Sequence, residues 1–217
     1  MITLLSPSKK LNFNEQNIVH SHTECDFIQS AELLANEAKN LTENDLKDLM
    51  DISDNLAKLN RERFDRWSLP FSPSNAKQAI LAFDGGVYLG LKAEDFKEKD
   101  FDFAQNHLRI LSGLYGILKP LDLIQPYRLE MGVSFKNNRG KNLYEFWSDK
   151  LSKTLSSEME DEEVLVNLAS NEYSKALQLE RFKIRLTCLC DHFPPRLVGT
   201  PHSFSSLAIC DTVMSSS

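Results

Sequence analysis

The chain has 217 residues, of which 41% are hydrophobic and 26% charged, and a formal net charge of −6. That is ordinary globular composition, with enough apolar material for a core and room for one large domain or two small ones, so disorder of the whole chain is excluded. The first residues are apolar only briefly and Lys9 and Lys10 follow them, which reads as neither a signal peptide nor a membrane span; the four cysteines (Cys25, Cys188, Cys190, Cys210) make no disulfide framework, so a reducing compartment, the cytoplasm, is expected.

Residues 2–5 read as a short buried strand ended by Ser6-Pro7. Over residues 26–39 the positions Phe27, Ala31, Leu34, Ala35 and Ala38 recur at helical spacing, which predicts a helix with one inward face. Thr42 with Asp45 three residues later approximates a capping box, and Leu46, Leu49 and Met50 continue the stripe. A further stripe, Ile52, Leu56, Leu59 and Arg63, runs towards Trp67 until Pro70 and Pro73 break it. The period then changes. Two apolar runs, 79–83 and 87–89, flank Asp84-Gly85-Gly86, which predicts two strands and a hairpin turn with positive φ. Asp100 caps a predicted helix whose face is Phe101, Ala104, Leu108 and Leu111, ended by Gly113 or by a strand near Ile110. Asn142 caps an amphipathic stripe of Leu143, Phe146, Trp147, Leu151 and Leu155, which the acidic run 158–163 ends. Residues 164–168 form a continuous apolar strand pattern, and Ser170-Asn171 opens a helix through Tyr173, Ala176 and Leu177.

Charge is unevenly placed along the chain. Between residues 105 and 141 the cations Arg109, Lys119, Arg128, Lys136, Arg139 and Lys141 face only Asp122 and Glu130, a net +4 inside an acidic protein. Such a patch suits a phosphate-binding face; the alternative is a solvated surface balanced by nearby acids. Residues 184–217 differ in kind: they contain no Lys, Glu, Asn, Gln, Tyr or Trp, but three of the four cysteines and six serines. That break divides the chain into a domain over 1–183 and an atypical tail over 184–217, disordered or derived from a frameshift.

Five ordered strings identify the first 183 residues as resembling one family. They are Ser6-Pro7-Ser8-Lys9-Lys10-Leu11, the run 78–85, the run 108–116, Pro120-Leu121-Asp122 with the run 125–132, and the run 166–173, and they resemble the motifs of the YaaA (UPF0246) family. The resemblance implies a mixed α/β (α+β) fold with central strands surrounded by helices. It also implies binding of double-stranded or structured DNA through a helix-hairpin-helix-like element, and a role in limiting iron and oxidative damage under peroxide stress. Two departures stand out: Gly86 occupies a position where the family has an acid, and the family's C-terminal strands and final helix are replaced by the tail, leaving the domain incomplete at that end.

The candidate site residues follow from their chemistry. Gly113 and Gly116, around Tyr115, could turn backbone N–H groups towards a phosphate with Lys119 adding charge, although their spacing does not fit a usual helix-hairpin-helix turn and a tight turn in the core explains them equally. Arg109, Tyr127 and Arg128 offer a guanidinium fork for phosphate and a ring for stacking, while Glu130 could instead pair with Arg128. Lys9 follows a strand end, where ligands meet α/β sheets, or is a plain surface lysine. Ser170, Asn171 and Lys175 lie at a helix start that favours anions, or Ser170 simply caps it. The alternative function is an enzyme acting on a nucleotide or nucleic acid in a basic cleft shared by Lys9, Arg109, Arg128, Asn171 and Glu172; Glu172 and Lys175 could equally form an exposed pair. Cys188, Cys190 and His192 do not have zinc-ligand spacing, His20, His22 and His107 suggest no metal, and no cofactor-binding motif is present.

Overall fold

The structure, a computed structural model, describes residues 1–15, 18–160, 163–179, 182 and 186–188. Strand β1 (Ile2–Leu5) is buried along its whole length because it lies in the middle of a five-stranded sheet of order β4-β3-β1-β6-β7. It pairs in parallel with β3 (Leu108–Ser112) on one side and β6 (Leu165–Asn167) on the other. β4 (Gly116–Leu118) runs antiparallel to β3, and β7 (Leu186–Cys188) runs parallel to β6. A strand buried on both faces is nearly continuously apolar rather than alternating, which is how residues 2–5 read with Thr3 as the single exception. The sequence assigns 186–188 to the atypical tail; here their backbone extends the sheet, and the rest of 189–217 lies outside the described residues.

The helical N-terminal part forms as its sequence predicts, with one rotation. Helix α1 (Ile28–Ala38) buries Ile28, Ala31, Leu34, Ala35 and Ala38. Helix α2 (Glu43–Met50) begins with the complete capping box: the Thr42 hydroxyl accepts from the Asp45 amide and the Asp45 carboxylate accepts from the Thr42 amide. Helix α3 (Asp54–Arg66) buries Ala57, Asn60 and Phe64, whereas Leu56 and Leu59 of the expected stripe are 38% and 40% exposed. The inward face is therefore set one residue later than the sequence suggests, a turn of about 100° about the helix axis. Asn60 can sit inside because its amide donates to the Leu56 carbonyl.

The segment around Asp84 is the main correction. Where the sequence predicts a hairpin, the chain forms β2 (Lys77–Gln78), α4 (Ala79–Ala82) and α5 (Gly86–Leu91), and β2 pairs antiparallel with β5 (Leu123–Ile124). Short apolar runs do not distinguish a strand from a fully buried helical turn. Gly85 serves close packing rather than a positive-φ turn, since its φ is −160° and a Cβ there would lie 2.6 Å from the Ser8 hydroxyl. Downstream, Asp100 sits inside α6 (Glu98–His107), its carboxylate accepting from the Lys97 amide at 2.9 Å, and β3 takes over at Leu108. The stripe after Asn142 is two helices, α7 (Leu143–Trp147) and α8 (Lys150–Glu158), broken where Ser148 adopts φ +48°. Asn142 caps α7 as expected, accepting from the Glu145 amide at 2.9 Å. The short α9 (Asn171–Ser174) follows β6. Among the described residues no helix is long and apolar enough to cross a membrane.

Candidate functional site

Parallel β1 and β6 deliver two loops to the same edge of the sheet, the place beyond strand carboxyl ends where α/β sheets hold ligands. The loops are fastened together: the Ser170 amide donates to Ser6 Oγ at 2.9 Å, and the Tyr88 hydroxyl donates to the Ser6 carbonyl at 2.8 Å. Ser170 precedes α9 without capping it through its side chain, and a helix of one turn carries little dipole.

An open cleft of about 540 Å³ lies beside these loops, lined by Lys9, Glu130, Gly132 and Glu172 and by the end of α2, Asp48 to Asp51. Glu130 is its best-anchored residue. Its Oε1 accepts from Arg128 Nε at 3.1 Å and Nη2 at 3.0 Å, and lies 3.2 Å from Lys9 Nζ. Glu172 accepts from the Gly132 amide at 2.9 Å, and its carbonyl accepts from the Tyr144 hydroxyl at 2.9 Å. Lys9, Arg128 and Glu172 thus come together as the sequence suggested, with Asn171 exposed beside them. The cleft, however, is acidic rather than basic: Asp48, Asp51, Glu130 and Glu172 outnumber Lys9 along its lining. Among the described residues, no group of His, Cys, Asp and Glu is arranged to hold a metal ion.

Several residues expected at a phosphate seat are committed to the core. The turn from Gly113 to Gly116 joins two strands, not two helices, and Gly113, Leu114, Tyr115 and Gly116 are buried. The Tyr115 amide donates to Ser112 Oγ at 3.0 Å and the Gly113 carbonyl accepts from Trp147 Nε1 at 3.0 Å. The Tyr115 hydroxyl accepts from Trp67 Nε1 at 3.0 Å and donates to the Gln125 carbonyl at 3.2 Å. Tyr127 is buried with its hydroxyl 2.6 Å from Ser112 Oγ, and burial raises its pKa. Neither ring is presented for stacking.

The arginine and lysine nearest that turn are likewise engaged. The Arg109 side chain is 6% exposed, with Nε 2.8 Å from Glu158 Oε2 and Nη1 donating to the carbonyls of Gln105 and Leu108. Lys119 bridges Asp26 at 3.1 Å and Glu158 at 3.2 Å; burial works against its charge, but these two carboxylates outweigh it and raise its pKa. Arg109 therefore sits away from the cleft, in a network with Lys119 and Glu158.

Within the positive stretch and just after it, the cations outside ion pairs lie around α7. Lys136, Arg139, Lys141, Lys150 and Lys175 take part in none of the ion pairs among the described residues. The Arg139 guanidinium lies 4.6 Å from the Phe146 ring centre, Lys150 Nζ lies 5.9 Å from the same ring, and Lys175 Nζ lies 5.0 Å from that of Tyr144. Burial, and then the adjacent Arg139 charge, lower the Lys150 pKa. Lys175 faces an aromatic ring instead of forming the expected pair with Glu172. The sequence showed the positive stretch but not which of its cations are free, because partners such as Glu158 lie 49 residues from Arg109.

These features define a mixed α/β protein with a strand-end cleft and a cation–aromatic surface that adjoins it at Tyr144 and Glu172. Its sequence matches the family described as peroxide stress protein YaaA over residues 1–191, and the chain belongs to that family. A UPF0246 protein of Cellvibrio japonicus (strain Ueda107) is 51% identical over 180 residues, which cover 82% of this chain and 70% of the relative. Family membership ties the chain to the oxidative-stress response.

Proposed function

We propose that this chain is a cytoplasmic DNA-binding protein of the peroxide-stress response, limiting iron-dependent oxidative damage and holding phosphates with little sequence preference. The observation that carries the DNA reading is the surface around α7, where Arg139, Lys150 and Lys175 stand against aromatic rings and outside ion pairs. Cations without carboxylate partners are the ones that can release counterions from a nucleic acid backbone, and lysines and arginines held over rings need little reordering to do so. The stress setting rests on the family.

Fluorescence anisotropy of a labelled duplex across a salt series tests the reading. The logarithm of affinity falls linearly with the logarithm of salt concentration, and replacing Arg139, Lys150 and Lys175 together by Gln reduces the slope by about 0.9 for every phosphate that is no longer neutralised. A folded protein that binds no DNA, or a slope unchanged in the triple variant, overturns it.

A further inference from the structure

Glu130 is 8% exposed, yet only one of its two carboxylate oxygens has partners. Its Oε2 is buried with no hydrogen-bond donor, while the residue lines both the open cleft and a recess of about 20 Å³ next to it. A buried carboxylate oxygen without a donor is costly, and one that lines a cleft has room there for a ligand that donates.

The charges around it select the donor. Lys9 is the one cation on a cleft lining that also carries Asp48, Asp51, Glu130 and Glu172, so an anion is repelled and a cation attracted. The two cations on Glu130 differ in kind. Arg128 is 15% exposed and makes two bonds to Oε1, so it is a fixed support of the carboxylate from outside the cleft lining. Lys9 is 66% exposed and touches Glu130 at a single atom, a mobile ammonium held by an interaction of small net strength. A primary ammonium has three N–H donors and can serve both carboxylate oxygens. Leu49, Met50 and Val133 provide apolar wall for the hydrocarbon part of such a ligand.

We propose that this cleft binds a small organic molecule through a protonated amino group donated to Glu130, and that Lys9 holds the seat until the ligand displaces it. The reading is independent of DNA binding, because the seat at Glu130 is acidic and the cations Arg139 and Lys150 lie at Phe146, outside its lining.

The test is an amide-resolved NMR titration of the whole chain with putrescine dihydrochloride, alongside sodium phosphate. Putrescine shifts the amides of Lys9, Gly132 and Ser134 saturably, and phosphate leaves them in place. Glu130→Gln weakens putrescine binding about tenfold or more, as expected for the loss of a charged hydrogen bond. Lys9→Gln, an exposed substitution, tightens it about threefold or more by removing the internal competitor. Phosphate shifting the same amides, or Lys9→Gln leaving putrescine binding unchanged or weaker, overturns the proposal; in a variant set that loses duplex affinity at Arg139, Lys150 and Lys175, the amine result stands unaltered.

Discussion

The indole Nε1 of Trp147 donates to the Gly113 carbonyl at 3.0 Å, tying α7 to the turn between β3 and β4. Both groups are buried, so a turn whose glycines suggest an open phosphate loop is a joint of the core instead.

Gly113→Ala is the direct test of that reading. A Cβ at Gly113 would collide with the Leu129 carbonyl oxygen and lie 3.1 Å from two further backbone carbons. Backbone cannot swing aside as a side chain does, so the expected loss is about 3 kcal/mol or more in a urea titration, at the upper end for overpacking. A change below about 1 kcal/mol would show the turn to be open.

Tyr115→Phe separates the same two readings by hydrogen bonding. The hydroxyl accepts from Trp67 Nε1 and the Gln125 amide, both at 3.0 Å, and its removal leaves two buried donors without a partner. A loss of about 2–6 kcal/mol follows from about 1–3 kcal/mol for each orphaned group. Duplex affinity of the folded variant is unchanged, because a buried ring contributes no stacking platform.

Arg109 also acts through stability. Its charge is satisfied by Glu158, and Arg109→Ala leaves that half-buried carboxylate with Lys119 alone. Breaking a buried pair from one side costs about 3–5 kcal/mol. Part of that is recovered here through Lys119, so a loss of about 2–3 kcal/mol in chemical denaturation is expected, with the salt slope of DNA binding unaltered.

Local chemistry was legible in the sequence and long-range pairing was not. Thr42 with Asp45, and Asn142 before Leu143, announce helix starts because a cap is completed within three residues. Residues 2–5 declare a central strand because burial on both faces leaves Thr3 as their one polar position. By contrast, α4 and α5 look like strands, since a short, wholly apolar run has no period to read. The free cations of the Phe146 surface could be recognised only after Glu158 and Glu130 had claimed Arg109, Lys119 and Arg128. Glu130 offers itself in the sequence as a partner of the nearby Arg128, whereas its contact with Lys9, 121 residues away in number, exists only in the folded chain.

A pH dependence of stability is expected from Asp122, which is 1% exposed beneath the loop containing Thr23. Burial raises its carboxyl from 3.8 to about 6, against the opposing hydrogen bonds from the Thr23 hydroxyl at 2.6 Å and the Lys119 amide at 2.8 Å. In the unfolded chain the same group titrates at about 3.9. The folded protein holds this proton more tightly, so the group's contribution is full below about pH 4 and is lost as pH rises through about 6. Asp122→Asn removes the titration while retaining a carbonyl acceptor. Between pH 4.5 and 7.5 the stability of the variant relative to the parent should therefore rise by about 2 kcal/mol, read from paired urea titrations. The difference between the two proteins cancels the other carboxylates, and a flat difference across that range would place Asp122 in an environment where its charge is solvated or fully matched by Lys119.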